Sequence, residues 1–323
     1  NSIISKFKRK YGLEKVTLFY KYSSNYYQRL FTVENYSGDL SLLKTDTLLS
    51  NAERIYPVEI NSIIPSEGNG LTNDSFINYQ WGLFNNDISL LQDLDDINSN
   101  LINGVSGNDI QISSIINDNY SGEELIIAVL DSGVDLDHPD LKKNIYKNIV
   151  ECDSNGHFRY RPKEDIDNNG HVGDCMGWDF TAKNGTHTTY DDKGHGTHIS
   201  GIIAASANDI GVRGVAPFVK ILPVKIIKKR ENTSGTSSFT DRVAKGILYA
   251  VKMKAKVINL SLGWPKVLDT KYVREAIRDA SRNGITIVAA AGNNNSNQAI
   301  YPCAYSEVIC VGATTINGSI ARF

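Results

Sequence analysis

The sequence has no apolar run approaching the ~20 residues that a membrane-spanning helix requires, and its first stretch, Asn1 to Tyr11, is basic and polar with no signal-peptide-like apolar segment. A soluble polypeptide is expected, and any secretion signal would have to precede Asn1. Neither sign of charge dominates: 34 Lys and Arg stand against 36 Asp and Glu, a formal net charge of −2. With no global field to attract them, nucleic acid and anionic membranes are not expected as partners. Cysteine is scarce. Its four positions, Cys152, Cys175, Cys303 and Cys310, form no CxxC or Cys/His ligand spacing, which argues against zinc and leaves disulfides or buried thiols. Internal repeats and long low-complexity tracts are missing as well.

What is there divides in two. The 323 residues exceed one small domain and favour a large α/β domain with a smaller appendage. Near the start, strands are expected at Val16–Tyr20 and Tyr26–Val33, a helix at Leu40–Ala52 and a strand at Ile55–Ile60, a compact α+β unit over 1–60. Between Asn61 and Asp74 the chain turns polar, with Pro65, Gly68, Asn69 and Gly70 close together. That composition marks an exposed linker, placed at 61–73, ahead of a domain at 74–323. Phe84 to Asn119, rich in Asn and Asp, reads as a surface loop with a short helix. After Tyr120, apolar strands alternate with amphipathic helices, the pattern of a parallel sheet covered by helices on both faces. The strands are Leu125–Leu130, Lys220–Ile226, Val257–Leu262, Ile285–Ala290 and Val308–Val311. Val243, Ile247, Ala250 and Val251 recur at helical spacing, as do Val273, Ala276, Ile277 and Ala280, where Gly284 supplies the stop.

Reactive groups in open α/β sheets collect at the carboxyl ends of strands. Asp131 ends the first large-domain strand and opens DSGVD; alone it equally suits a turn or helix cap. His195 lies in GHGTHISG, at the predicted N-terminus of a helix rich in small residues. The positive end of that helix opposes protonation and keeps an imidazole available as a base. A buried hydrogen-bonded histidine or a metal pair with His198 are the alternatives, and the second lacks the glutamate of a zinc-peptidase HExxH. Asn293 follows a strand of small residues, AAAGN, where its amide could donate to a developing oxyanion or serve a turn. Ser261, Leu262 and Gly263 end VINLSLG, leaving backbone to pair with an extended peptide, although a plain strand end explains them too.

Taken in order, DSGVD, GHGTHISG, VINLSLG and AAAGN resemble the subtilase family of serine peptidases over roughly Gln80 to Phe323. The resemblance implies a subtilisin-like α/β fold, with Asp131 orienting the base, His195 as general base and acid, and Asn293 as oxyanion donor. It implies a peptide cleft lined by Ser261–Gly263 and by Ala290, Ala291 and Gly292, with Thr236, Ser237 and Ser238 on the other edge. The family's nucleophile sits in a GTSMA-type turn well beyond the equivalent of Val308–Val311, and none occurs up to Phe323. Gly235–Ser238 imitates that turn between base and oxyanion residue, the wrong place in the chain order, so Ser237 is rejected. A fragment, a nicked product or a chain with further unseen residues is expected.

The front unit resembles a subtilase propeptide, a ferredoxin-like inhibitor and folding aid cleaved within the linker; an unrelated accessory domain is the alternative. The resemblance also implies structural calcium as cofactor, since Asp140, Asn208 and Asp74 resemble the family's high-affinity site, with oxygen ligands that suit a hard cation. Asp165–Gly170 has the alternating spacing of a calcium loop but lacks the distal glutamate, and a solvated acidic loop fits as well. Cys152 and Cys175 flank that insertion and could staple it, while Cys310, inside an apolar strand, suits a buried thiol. The Asn-, Asp- and Ile-rich composition and the start Asn73–Leu83 resemble leader peptidases of lantibiotic precursors, of epidermin type. These imply a monomer, secreted or on the surface of a Gram-positive bacterium, with a precursor peptide as substrate. Ile300, near the expected base of the specificity pocket, offers no carboxylate. A degradative peptidase and a serine-less peptide-binding module are the competing readings.

Overall fold

The computed structural model describes residues 80–85, 103–112, 125–153, 165–228 and 239–323 with their side chains, positions 74 and 77, and the strand backbones at 16–21, 29–33, 89–91 and 101–102. The chain forms two compact units, Asn1–Glu59 and Ile60–Phe323. In the first, β1 (Val16–Lys21) runs antiparallel to β2 (Arg29–Val33), with Val16 opposite Val33 and an irregularity between Leu18 and Tyr20. The helix and strand expected at Leu40–Ala52 and Ile55–Ile60, and the linker at 61–73, lie outside the described residues.

The second unit is built on a six-stranded sheet. Its strands are β5 (Ile126–Asp131), β6 (Trp178–Asp179), β7 (Lys220–Lys225), β8 (Val257–Leu260), β10 (Thr286–Ala290) and β12 (Val308–Val311), ordered β12-β10-β8-β5-β7-β6 and parallel throughout. β5 is a near-continuous apolar run because both its faces are covered, as parallel strands require. Ala128 and Leu130 point into the core under α2 (Phe239–Lys252) and α3 (Lys271–Arg282). Val129, with the opposite pleat, packs with Ala204 of α1 (His195–Ala204) on the other face. The α/β architecture of the large domain is as the sequence implies.

α3 shows how local chemistry sets an element's limits. Thr270 caps its start, its hydroxyl accepting from the Val273 N–H at 3.4 Å, and Val273, Ala276, Ile277 and Ala280 form the buried stripe. At the far end Gly284 takes φ +73°, which lets its N–H reach the Ser281 carbonyl and the Ile285 N–H reach that of Ala280. The chain then enters β10 directly.

Two short antiparallel pairs complete the unit: β9 (Trp264–Pro265) with β11 (Ile300–Tyr301), and β3 (Ser89–Leu91) with β4 (Leu101–Asn103). The second pair places strands where a surface loop was expected between Phe84 and Asn119; the short helix expected in that stretch is not among the described residues. A three-residue hairpin there carries too little alternation to be read from the sequence. The cysteines pair as Cys152–Cys175 and Cys303–Cys310. Cys310 is therefore not a buried thiol but an exposed half-cystine on β12. Among the described residues no helix is long and apolar enough to cross a membrane.

Candidate active site

Because the sheet is parallel, Asp131, Ser261 and Ala291 all emerge at its carboxyl edge, from the ends of β5, β8 and β10. Asp131 is fully buried and receives the His195 ring: Nδ1 lies 2.8 Å from Oδ1 and 2.9 Å from Oδ2. The Ser132 N–H also donates to Oδ1, at 2.7 Å. His195 opens α1 with its side chain 52% exposed, so the ring is gripped at Nδ1 and open to solvent elsewhere. A carboxylate that holds one nitrogen of a half-exposed imidazole fixes its tautomer and leaves the other nitrogen able to take a proton.

Close approaches around the DSGVD turn, by α1 and by the Thr189–Tyr190 segment, demand glycine at two places. A Cβ on Gly196 would stand 2.1 Å from the Gly133 carbonyl oxygen, and one on Gly133 would stand 2.3 Å from that of Thr189. Gly201, by contrast, has nothing within 4 Å, so this small residue of the helix is not a packing requirement. Lys225, at the end of β7, went unnoticed in the sequence. Its buried Nζ donates to the carbonyls of Ser132 and Tyr190 and pairs with Asp192 at 3.1 Å, pinning the backbone beside Asp131. A lysine ending a buried apolar run was the available signal.

On the other side of β5, Ser261 accepts from the Asn259 amide, Leu262 packs on the core and Gly263 is exposed. Ala290 ends β10, Ala291 donates its N–H to the Val311 carbonyl, and Gly292 turns at φ +99° into the exposed Asn293. Ile300 joins these two segments. A Cβ on Gly263 would lie 2.5 Å from its Cγ2, and one on Gly292 would lie 3.2 Å from its Cγ1. Its side chain fills the slot between the two glycines. Thr236, Ser237 and Ser238 lie outside the described residues.

Two acidic clusters differ in how well their oxygens are satisfied. Asp74 and Asp140, both buried, meet at the loop carrying Asn208. Asp74 Oδ1 accepts from the Asn208 N–H and Asp140 Oδ2 from that of Val212, while among the described residues Asp140 Oδ1 has no hydrogen-bond partner. Burial pushes the Asp140 carboxyl up to about 6; the Asp74 charge adds to this, and bonds from Val212 and Asn208 oppose it. An orphaned buried carboxylate oxygen amid oxygen donors suits a hard cation. Glu151, Asp167 and Asp174 also offer carboxylate oxygens within 4.8 Å of one another. These accept from Ile166, Gly173, Asn148, Asn169 and Tyr249. Asp165 likewise takes the N–H groups of Asn169 and Gly170, so the insertion satisfies its own charges through its turn.

Comparison with known proteins agrees with this geometry. The chain is 35% identical over 209 residues to the major intracellular serine protease of Bacillus subtilis (strain 168), covering 62% of this chain and 54% of that protein. It is 36% identical over 204 residues to a thermophilic serine proteinase of Bacillus sp. (strain AK1), covering 63% and 41%. With subtilisin Savinase of Lederbergia lenta it shares 39% over 139 residues, 43% of this chain and 49% of the relative. The chain thus spans about half the length of the curated relatives it matches. Residues 122–323 match the subtilase family as a whole, and with the ordered Asp, His and Asn at the carboxyl edge of a parallel sheet, this chain belongs to that family.

Proposed function

We propose that the protein is a subtilisin-like serine endopeptidase whose nucleophilic serine is supplied by residues other than these 323. The observation that carries the reading is the Asp131–His195 pair, with the imidazole held at Nδ1 and open at its other side. In this mechanism His195 takes the serine proton as the hydroxyl attacks the scissile carbonyl, then returns it to the leaving amine. Asp131 keeps the tautomer and stabilises the imidazolium without itself taking the proton. The Asn293 amide donates to the oxyanion, and Ser261–Gly263 and Ala290–Gly292 flank the substrate, with Thr236–Ser238 as the opposite edge.

The test is fluorophosphonate labelling of the full-length gene product, followed by peptide mass mapping. A labelled serine outside residues 1–323, lost in His195→Ala by on the order of 10⁴-fold or more in rate, is expected. A full-length chain that takes no label after removal of residues 1–73 would refute the reading and leave a peptide-binding module.

Residues 1–60 are read as a propeptide that inhibits its own enzyme until cut within 61–73, and the active domain as a secreted or surface-exposed monomer. Asp140, Asn208 and Asp74 fit a structural calcium ion, which when bound would neutralise two buried carboxylates. Chelation is therefore expected to lower the melting temperature, an effect that Asp140→Asn abolishes; identical melting with and without chelator would remove calcium from the account. The finer substrate reading is removal of a leader from a lantibiotic precursor, supported by the composition and the domain start. A general degradative role is the second reading, favoured by relatives named as intracellular and alkaline proteases. A cleavage profile confined to one precursor junction separates the first from the second.

A further inference from the structure

Asp191, four residues before His195, does more than end a loop. Its Oδ1 accepts from the Ser132 hydroxyl at 2.8 Å and from the N–H groups of Lys193 and Gly194 at 2.9 and 2.8 Å. Its Oδ2 accepts from the Thr197 N–H at 2.9 Å and from the Thr197 hydroxyl at 2.7 Å. Burial works to raise its pKa, but hydrogen bonds, that of the Thr197 N–H first, hold the carboxyl below the usual range, so it stays charged.

These partners fall on both sides of the acid–base pair. On the helix side, Gly194 provides no side-chain cap for α1, so the loose first-turn N–H of Thr197 is satisfied by Asp191. On the sheet side, Ser132 carries the connection onward: its hydroxyl accepts from the Gly196 N–H at 3.0 Å while its own N–H donates to Asp131. Thr197 makes a second bridge, its hydroxyl oxygen accepting from the Asp135 N–H at 2.9 Å. One carboxylate thus ties the turn that carries Asp131 to the turn that carries His195, although β5 and α1 are distant in sequence.

We propose that Asp191 is a positioning residue that sets His195 against Asp131, through Ser132 on the sheet side and the first turn of α1 on the other. This rests on the reading of Asp131 and His195 as acid and base. Asp191→Asn keeps the shape but replaces one acceptor oxygen by an N–H₂ group facing N–H donors, so the network cannot be rebuilt around it.

The experiment compares the full-length protein with Asp191→Asn and Thr197→Val by two readouts. One is the downfield proton resonance of the His195 Nδ1–H bound to Asp131; the other is turnover of a peptide substrate. For Asp191→Asn the resonance should shift or broaden by exchange, and kcat should fall about 10- to 100-fold with KM within about twofold, the penalty of a slightly misplaced catalytic group. Thr197→Val removes one donor and the Asp135 bridge but leaves the carboxylate, and should lose about two- to fivefold in kcat. An unshifted resonance with kcat within twofold of the parent overturns the proposal, as does a lower melting temperature with both readouts unchanged, which would reduce Asp191 to a helix cap. If Asp191→Asn does not fold, Thr197→Val decides by the same criteria. If the parent cleaves no peptide, the peptidase reading fails while the resonance still tests Asp191.

Discussion

On the β7 side of β5, the paired strands, the turn after Asp131 and α1 form a closed assembly: Leu130, Ile221, Leu222, Val224 and Asp131 are inaccessible to solvent. On the β10 side the same sheet is open on one face, and along β12 Ile309 and Val311 remain 55% and 49% exposed. Asp131 and His195 sit in the first half, whereas Asn293 and the two glycines around Ile300 belong to the second. The Asp131–His195 pair is thus assembled beside buried strands, whereas the segments around Ile300 adjoin the more exposed end of the sheet.

Core truncations test that contrast most strongly. Leu130→Ala, in the closed half, should lower the unfolding free energy by about 2–5 kcal/mol, while Ile309→Ala should change it by less than about 0.5 kcal/mol. Urea unfolding of this chain measures both, and equal losses would mean that the face over β12 is covered after all. A change at the slot sharpens the same contrast. Ile300→Gly should raise kcat/KM about 10-fold for a substrate with a bulky side chain before the cut, leaving one with alanine there nearly unchanged, as about one or two buried methylenes would. No shift in preference would place the substrate side chain elsewhere.

A pH-dependent effect concerns Asp174, held by Tyr249, Asn148 and Asn169. Burial pushes it up to about 6 from 3.8, against those donors and with the Asp167 charge adding to the rise. The folded protein then holds this proton more tightly than the unfolded chain does. The stability it contributes is complete below about pH 3.8 and is lost as pH rises through about 6. Asp174→Asn should therefore flatten the fall in unfolding free energy between these values, measured by urea titration across pH; parallel profiles would show that the carboxyl is already ionised at its ordinary value.

Long apolar runs and helical periodicities made β5, β7, β8, β10, β12 and α1 to α3 legible in the sequence, because each fills a whole layer of core. β6 and the β9–β11 pair were not, since two-residue strands have no period to detect. The site divides similarly. Asp131 and His195 could be paired by motif and order, but the filling of the glycine slot by Ile300 needs three segments in space. Pairing of Cys303 with Cys310 likewise depended on β12 bringing its half-cystine back beside the turn after β11. Lys225 and Asp191 act on backbone N–H and carbonyl groups, whose positions no residue pattern spells out.

The strand order also bears on how the chain arrives at this state. β5 is joined on one side to β7, Ile126 meeting Lys220, and on the other to β8, Ile127 meeting Val257. Long stretches of chain must close into loops before either pairing returns any free energy, and parallel sheets of such non-local contacts form slowly. In that interval the apolar edge of β5 is available to other chains. A segment that held β5 and β8 together early would speed folding without adding to the stability of the folded state, so the rate of reaching this sheet and its stability once formed are separately adjustable.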